Sequence, residues 1–332
     1  MKVAVIGAGA VGGTIAALLH RAGHEVEVTA RGEHLAAIAD RGIRLSGAWG
    51  EYVAHVTASE RLQSAPDIVF VTTKAHDAAA AVSDAGDLLD GIPVVIVQNG
   101  LGGISVASTA NPRARVVGAL ALFAASYLSP GDVAVTATGS VYLGAGAGGA
   151  VVLAETVLGE VLPAVVTPGF AGALWTKLVV NQINALPAIT GMSAQAVIAD
   201  PGLRRIMTDG MQETVRVALV TGVRFAPLQG LSHLILVTFA RVPFVVAQLL
   251  PLLLARRMGT VPNPGSTLQS IRRGQRTEVD YLNGAVVEAA RAVGRAAPVN
   301  SALVALVHEV EASGRFLSPT EVIARTRRSG RR

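Results

Sequence analysis

The sequence predicts an α/β fold in two parts, an N-terminal doubly wound sheet followed by an all-helical C-terminal domain. Two observations predict it. Up to residue 168, short apolar runs bounded by Gly, Pro and polar residues alternate with helical stretches, as strands buried between helices do. Beyond Pro168-Gly169-Phe170 the apolar residues recur almost entirely with the helical period. The expected domains are 1–168 and 169–332, with an apolar insertion at about 228–262 and a basic tail at 325–332. A chain of 332 residues has ample length for two cores.

Composition removes several function classes. The chain is 51% hydrophobic and 15% charged, which marks an ordered globular protein. The net charge is +5, but Arg325, Arg327, Arg328, Arg331 and Arg332 account for five positive charges and leave the rest near neutral. Nucleic acid is therefore not an expected partner. The absence of cysteine excludes disulfides, thiolate catalysis and Cys-based zinc sites. The seven histidines show no ligand spacing, since Gly23 ends the helix that His20 and His24 would share, and no metal is expected. The N-terminus enters a strand without a charged leader and apolar segment, so the expectation is a cytoplasmic protein.

Val3 to Ile6 is a buried strand, followed by Gly7-Ala8-Gly9-Ala10-Val11-Gly12 and an apolar helix to Ala22. In the strand, G-x-G-x-x-G, helix arrangement, Gly7 permits the turn, Gly9 lets a pyrophosphate approach the backbone and Gly12 lets helix and strand pack closely. The helix N-terminus offers N–H groups to phosphate. This is a Rossmann-type dinucleotide site. The second strand, Glu25 to Thr29, ends at Arg31 rather than at an acid; a guanidinium suits a 2′-phosphate, so the expected cofactor is NADP(H). Residues 42–57 read as a hairpin or meander around Trp49-Gly50, with no assigned task. Further strands are expected at 67–73, ending in Lys74, at 93–97, ending in Gln98-Asn99, and at 116–122, 141–143 and 165–167. Ligands bind beyond the carboxyl ends of such strands, where Lys74 and Asn99 stand.

Helices are expected over 172–186, 202–221, 266–294 and 300–312, with Ser318 to Glu321 capping a last short one before the tail frays. Lys177, Asn181 and Asn184 fall at i, i+4 and i+7 on the first, a polar stripe among Leu178, Val179, Val180, Ile183 and Leu186. A buried ammonium and two amides need partners, which makes this stripe a ligand face. The chain holds three lysines against twenty-five arginines. A desolvated lysine can release a proton and arginine cannot, so Lys177 and Lys74 invite a chemical explanation. Gln212, Glu213 and Arg216 read as exposed, and Arg272 to Asn283 as a solvated helix face. The apolar run 231–254 is broken by His233, Arg241, Pro243, Gln248 and Pro251, which argues against a spanning helix. A buried homodimer contact or an apolar lid is its first reading and attachment to a membrane surface its second.

The sequence resembles the ketopantoate reductase (2-dehydropantoate 2-reductase) family. The resemblance rests on GAGAVGG at 7–13, Arg31, VTTK at 71–74, QNGLG at 98–102, WTKLVVN at 175–181, STLQ at 266–269 and RTEVDYLNG at 276–284. It implies an oxidoreductase of pantothenate biosynthesis that reduces a small 2-oxo acid, most simply ketopantoate, with NADPH. It further implies that Gly7, Ala8, Gly9, Ala10, Val11, Gly12 and Lys74 hold phosphates or ribose and that Arg31 holds the 2′-phosphate. Asn99 and Ala125 would lie near the nicotinamide, Asn99 also near substrate. Lys177 would donate the proton, Glu278 would sit by the ribose and that lysine, and Asn181, Asn184 and Ser266 would bind substrate. On a straight helix Ser266 and Glu278 would stand about 18 Å apart. The family spaces its two helix asparagines four apart; here they are three apart. Two alternatives stand beside this reading: a relative acting on a different or more apolar oxo acid, and a non-catalytic NADPH-binding regulatory protein.

Overall fold

The structure, a computed structural model, describes residues 1–329. The chain divides into two compact units, Met1–Phe170 and Ala171–Arg332. Residues Arg331 and Arg332 of the expected basic tail lie outside the described residues.

The first unit opens with β1 (Lys2–Ile6), α1 (Ala10–Arg21), β2 (Glu25–Thr29) and α2 (Gly32–Arg41). Next come β3 (Ile43–Gly47), β4 (Tyr52–Ala54), β5 (Thr57–Ser59), β6 (Ile68–Val71), α3 (Ala78–Ala85) and β7 (Pro93–Val97). The unit continues through α4 (Gly103–Ala110), β8 (Arg115–Ala121), β9 (Ala124–Ser129), β10 (Asp132–Ala137), β11 (Val141–Gly144), α5 (Gly148–Gly159) and β12 (Ala164–Val166). Its main sheet runs β12-β11-β8-β7-β6-β1-β2-β5. All neighbours pair parallel except β8 and β11. The unbroken apolar sequences of β6 and β7 suit their central places, where every residue is buried. Chain order reverses beside β1, with β2 on one side and β6 on the other, so the sheet has its switch point there.

The hairpin expected around Trp49-Gly50 is β3 and β4. With β9 and β10, which the sequence pattern left as connecting chain, it forms a second sheet in the order β4-β3-β10-β9. This sheet packs across α1 on the side away from the main sheet. Both faces of α1 are therefore covered, and Gly12 through Leu19 are all buried. The hairpin's task is to close the core above the first helix.

The second unit is helical: α6 (Phe170–Asn181), which starts at the last residue of the first unit, then α7 (Ala185–Thr190), α8 (Ala194–Ala199) and α9 (Pro201–Val220). After these come α10 (His233–Arg241), α11 (Phe244–Ala247), α12 (Leu249–Arg257) and α13 (Gly265–Arg272). The last are α14 (Asn283–Ala292), α15 (Pro298–Ser313) and α16 (Pro319–Ser329). Asp200 caps α9 by accepting from the N–H groups of Gly202 and Leu203. Ser318 and Glu321 form the expected box, with the Glu321 carboxylate also taking the Ser318 N–H at 2.8 Å. Where a frayed end was expected, α16 runs to Ser329 and Arg325 pairs with Glu309.

Three expectations are corrected. The helix expected over 172–186 is interrupted between α6 and α7 by a 3-10 turn, Gln182–Asn184. Pro187 explains the break: it has no N–H to give the Ile183 carbonyl. The helix expected over 266–294 is two helices. Gly274, at φ +62°, follows the end of α13; its N–H donates to the Ile271 carbonyl and that of Gln275 to the Ser270 carbonyl, the bonds of a Schellman stop. The 18 Å spacing along one helix therefore does not apply. The run 231–254 becomes three short helices broken at Pro243 and Gln248, and no helix among the described residues is long and apolar enough to cross a membrane.

Candidate active site

In the first unit the expected cofactor residues gather at one edge of the main sheet. Strands β7, β6, β1 and β2 are consecutive and parallel, so their carboxyl ends stand side by side. At these ends lie Asn99, Lys74, the loop Gly7 to Gly12 and Arg31, in that spatial order. Neighbouring strands lie about 4.8 Å apart, so the row spans roughly 14 Å.

The glycine loop is tied down by side chains on three other elements. Gly7 donates its N–H to Thr29 Oγ1 at 3.1 Å, and its carbonyl accepts from Thr72 Oγ1 at 2.7 Å. Ala8 donates to the Thr29 carbonyl at 2.9 Å, and its own carbonyl is held by His34 Nε2 at 2.7 Å. Gly131 donates its N–H to His34 Nδ1, so Nε2 carries the hydrogen and donates. Sequence reasoning missed Thr29, Thr72 and His34 in this role; the threonines at the carboxyl ends of β2 and β6 were the available signal.

With Gly7 and Ala8 so engaged, α1 begins at Ala10 without a side-chain cap, and its first N–H groups remain for an anion. A Cβ on Gly9 would meet nothing within 4 Å, so the backbone there is open to approach. One on Gly12 would collide with the Gly7 carbonyl and Thr72 Oγ1. Thr73 Oγ1 and Gln98 Oε1 are buried at the ends of β6 and β7 with no hydrogen-bond partner among the described residues. An open glycine backbone, an uncapped helix and two orphaned buried oxygens fit a dinucleotide. Arg31 is exposed at the N-terminus of α2, beside Glu33, and Lys74 is half-buried. Ala125 lies near the start of β9, four residues past the carboxyl end of β8 beside β7; it pairs with Val135 and is partly buried against the core under the second sheet.

In the second unit, Lys177 and Asn181 share a face of α6 at i and i+4. The 3-10 turn decides where Asn184 goes. At three residues per turn, side chains three apart eclipse, so the turn keeps Asn184 on the face of Asn181. Helix α13 packs against this turn and α7. Gly265, at φ +71°, lies so close to Asn184 Oδ1 that a Cβ would overlap it at 2.5 Å. Ser266 is the next residue and is exposed. Asn184 and Ser266 are thus brought together by a close approach that only glycine permits.

Burial lowers the Lys177 pKa from 10.5 to about 8, against the opposing pull of the Glu278 carboxylate. Desolvation by the apolar helix wins over the ion partner. At neutral pH about nine lysines in ten still carry the proton, yet it can be released.

Behind this face runs a buried amide network. Asn283 donates through Nδ2 to Gln182 Oε1 at 2.8 Å and to Asn300 Oδ1 at 3.0 Å. Asn300 donates from its own Nδ2 and its backbone N–H to Glu213 Oε1, both at 2.8 Å. Gln182 lies within the 3-10 turn, so the network fixes the segment that carries Asn184. These contacts correct two readings. Gln212 is buried, and Glu213 is half-buried, its carboxyl pKa raised by desolvation. The polar run 272–283 is not a solvated face throughout, since Thr277 and Asn283 are each 1% exposed.

The comparisons with known proteins give the family. Residues 3–148 match the model of the ketopantoate reductase PanE/ApbA family, and residues 170–311 match its C-terminal model. A relative from Halobacterium salinarum named 2-dehydropantoate 2-reductase is 30% identical over 95% of this chain and 100% of its own. One of the same name from Pyrococcus horikoshii is 29% identical over 95% and 99%. A PanE/ApbA family ketopantoate reductase from Ralstonia eutropha JMP134 superposes with a TM-score of 0.80 at 30% identity, covering 94% of this chain and 99% of that one. D-mandelate dehydrogenase, solved with NADH and anilino(oxo)acetate, shares the fold at 22% identity and a TM-score of 0.79, covering 94% of this chain and 99% of that one. With both family models matched in order along most of its length, the chain belongs to the ketopantoate reductase family and is an oxidoreductase.

Proposed function

We propose that this protein reduces 2-dehydropantoate (ketopantoate) to pantoate with NADPH, the first unit carrying the cofactor and the second the proton donor and substrate-binding side chains. The observation that carries the reading is Lys177, a lysine in an arginine-biased chain, set on an apolar helix and lowered to about 8 beside Glu278. NADPH supplies the hydride that the ketone carbon receives. Lys177 gives its ammonium proton to the carbonyl oxygen as that oxygen takes up the electron pair of the C=O bond, and the neutral amine regains a proton from water. A positioned acid contributes about 10²–10⁴-fold, and the ammonium also stabilises the developing oxyanion. Glu278 offsets part of the burial cost and so keeps the lysine charged for this step.

Asn181, Asn184 and Ser266 are the substrate ligands in this reading. Their amide and hydroxyl groups match a small acid's carboxylate and hydroxyl. Arg31 meets the 2′-phosphate; Gly7, Ala8, Gly9, Ala10, Val11, Gly12 and Lys74 hold the phosphates and ribose, while Asn99 and, through the family resemblance alone, Ala125 lie toward the nicotinamide. A place in pantothenate biosynthesis and a cytoplasmic homodimer belong to the same reading. Leu234, Val245 and Val261 are 74%, 78% and 77% exposed on the second unit, apolar surface that suits burial against another copy.

Initial rates of NADPH oxidation with a panel of 2-oxo acids test the substrate assignment. Ketopantoate should turn over well above all others. Preference for a bulkier apolar oxo acid would move the assignment to another reductase of the family, and NADPH binding without oxidation by any of them would leave a regulatory protein.

A further inference from the structure

Glu278 sits in the connection between α13 and α14, just before a single 3-10 turn, Val279–Tyr281, and its carboxylate acts on Lys177. Thr277 just before it and Asp280 two residues after it are both fastened to α15. On the N-terminal side, Thr277 is buried and donates its N–H to Glu311 Oε1 at 2.7 Å; its hydroxyl accepts from the Val279 N–H at 3.3 Å. On the C-terminal side, Asp280 Oδ1 meets His308 Nε2 at 2.9 Å. His308 Nδ1 meets Glu311 Oε2 at 2.8 Å, so one imidazole joins the two attachments. Each ring nitrogen faces a carboxylate oxygen, which accepts but cannot donate. Both bonds can form together only when both nitrogens carry hydrogen, that is, as the imidazolium.

We propose that His308 is a positioning residue: by bridging Asp280 and Glu311 it fixes the turn Thr277 to Asp280 and holds Glu278 against Lys177. The proposal rests on Lys177 as the proton donor only for its catalytic consequence; the geometry it asserts stands apart from any substrate. The two carboxylates hold the His308 pKa above its ordinary value, against the effect of burial. Arg276 also engages Asp280, Nη2 to Oδ2 at 3.5 Å, but the two residues belong to one segment, so that bond does not tie the segment to α15.

The chain's three lysines make the test direct. Reductive methylation with ¹³C-formaldehyde labels Lys2, Lys74, Lys177 and the α-amine, and the pH dependence of each dimethylamine signal, assigned by single Lys→Arg variants, gives its titration midpoint without any turnover. Glu278→Gln should lower the Lys177 midpoint, and His308→Gln should reproduce most of that drop while leaving Lys2 unmoved. Loss of a nearby imidazolium by itself would raise a lysine midpoint, so the sign separates displacement of Glu278 from loss of charge. His308→Arg keeps a cation against both carboxylates at every pH and should hold the midpoint at or above the wild-type value. The His308 side chain is 43% exposed, so these replacements empty no core.

A Lys177 midpoint that moves in Glu278→Gln but not in His308→Gln would overturn the proposal while leaving the Lys177–Glu278 pair intact. No movement in either would overturn both. If the midpoints shift as expected but ketopantoate is not reduced, the positioning role stands and the substrate assignment falls.

Discussion

The glycine loop of the first unit and the lysine face of the second are both held by hydrogen bonds, but at different distances along the chain. The loop is a contiguous run, Gly7 to Gly12, whose conformation follows from its own glycines. Thr29, Thr72 and His34 then secure two of its residues. The lysine face is only partly local, since Pro187 breaks the helix but cannot by itself hold the turn that results. Its 3-10 turn depends on Asn283, 101 residues from Gln182, and on Asn300 and Glu213 behind it. A binding site for a common cofactor can be written locally because the backbone does most of the binding. A site for one particular acid needs side chains from several helices, and these are set by packing.

That contrast orders the expected effects of substitution. Lys177→Ala should lower kcat by about 10²–10⁴-fold with NADPH affinity largely kept, measured by single-turnover rates beside a fluorescence titration of the cofactor. Unchanged kcat would remove the chemical role of the lysine face. Arg31→Ala should weaken NADPH by roughly ten-fold or more, since a hydrogen bond to a charged group contributes about 1.5–3 kcal/mol, with NADH much less affected. Equal losses for the two cofactors would show that Arg31 does not read the 2′-phosphate.

Asn283→Ala should cost about 1–3 kcal/mol of stability, because Gln182 Oε1 and Asn300 Oδ1 lose their donor in a buried setting. It should also raise KM for the oxo acid while leaving cofactor affinity alone; denaturant midpoints and steady-state kinetics would read the two effects. His34→Ala gives the smallest change, about 1 kcal/mol of NADPH affinity for one lost bond to the Ala8 carbonyl. A loss of NADPH affinity in Asn283→Ala as large as that in His34→Ala would break the contrast between a locally written loop and a remotely supported helix.

Much of the fold was legible because its signals are local. The run Val3 to Gly13, the buried sequences of β6 and β7, and the Asn181 and Lys177 periodicity on α6 each carry their own pattern. The losses came where tertiary context redirected the chain. Arg272-Arg273-Gly274 was read as helix interior because the polar run on both sides kept a helical look, whereas Gly274 at φ +62° ends α13. Asn184 departs from the family's spacing, yet it shares the helix face by periodicity, and the 3-10 turn that its neighbour Pro187 favours keeps it there. Glu213 and Asn283 looked exposed because they are polar; they are covered because they satisfy each other's network.

The central claim is that Lys177 supplies the proton, and the pH profile of kcat/KM for ketopantoate at saturating NADPH tests it most directly. An acid with a pKa lowered to about 8 loses its proton as pH rises through that value. The wild-type protein should therefore show a descending limb centred near pH 8, and Lys177→Ala should show a low rate without that limb. The same descending limb in Lys177→Ala would contradict the account.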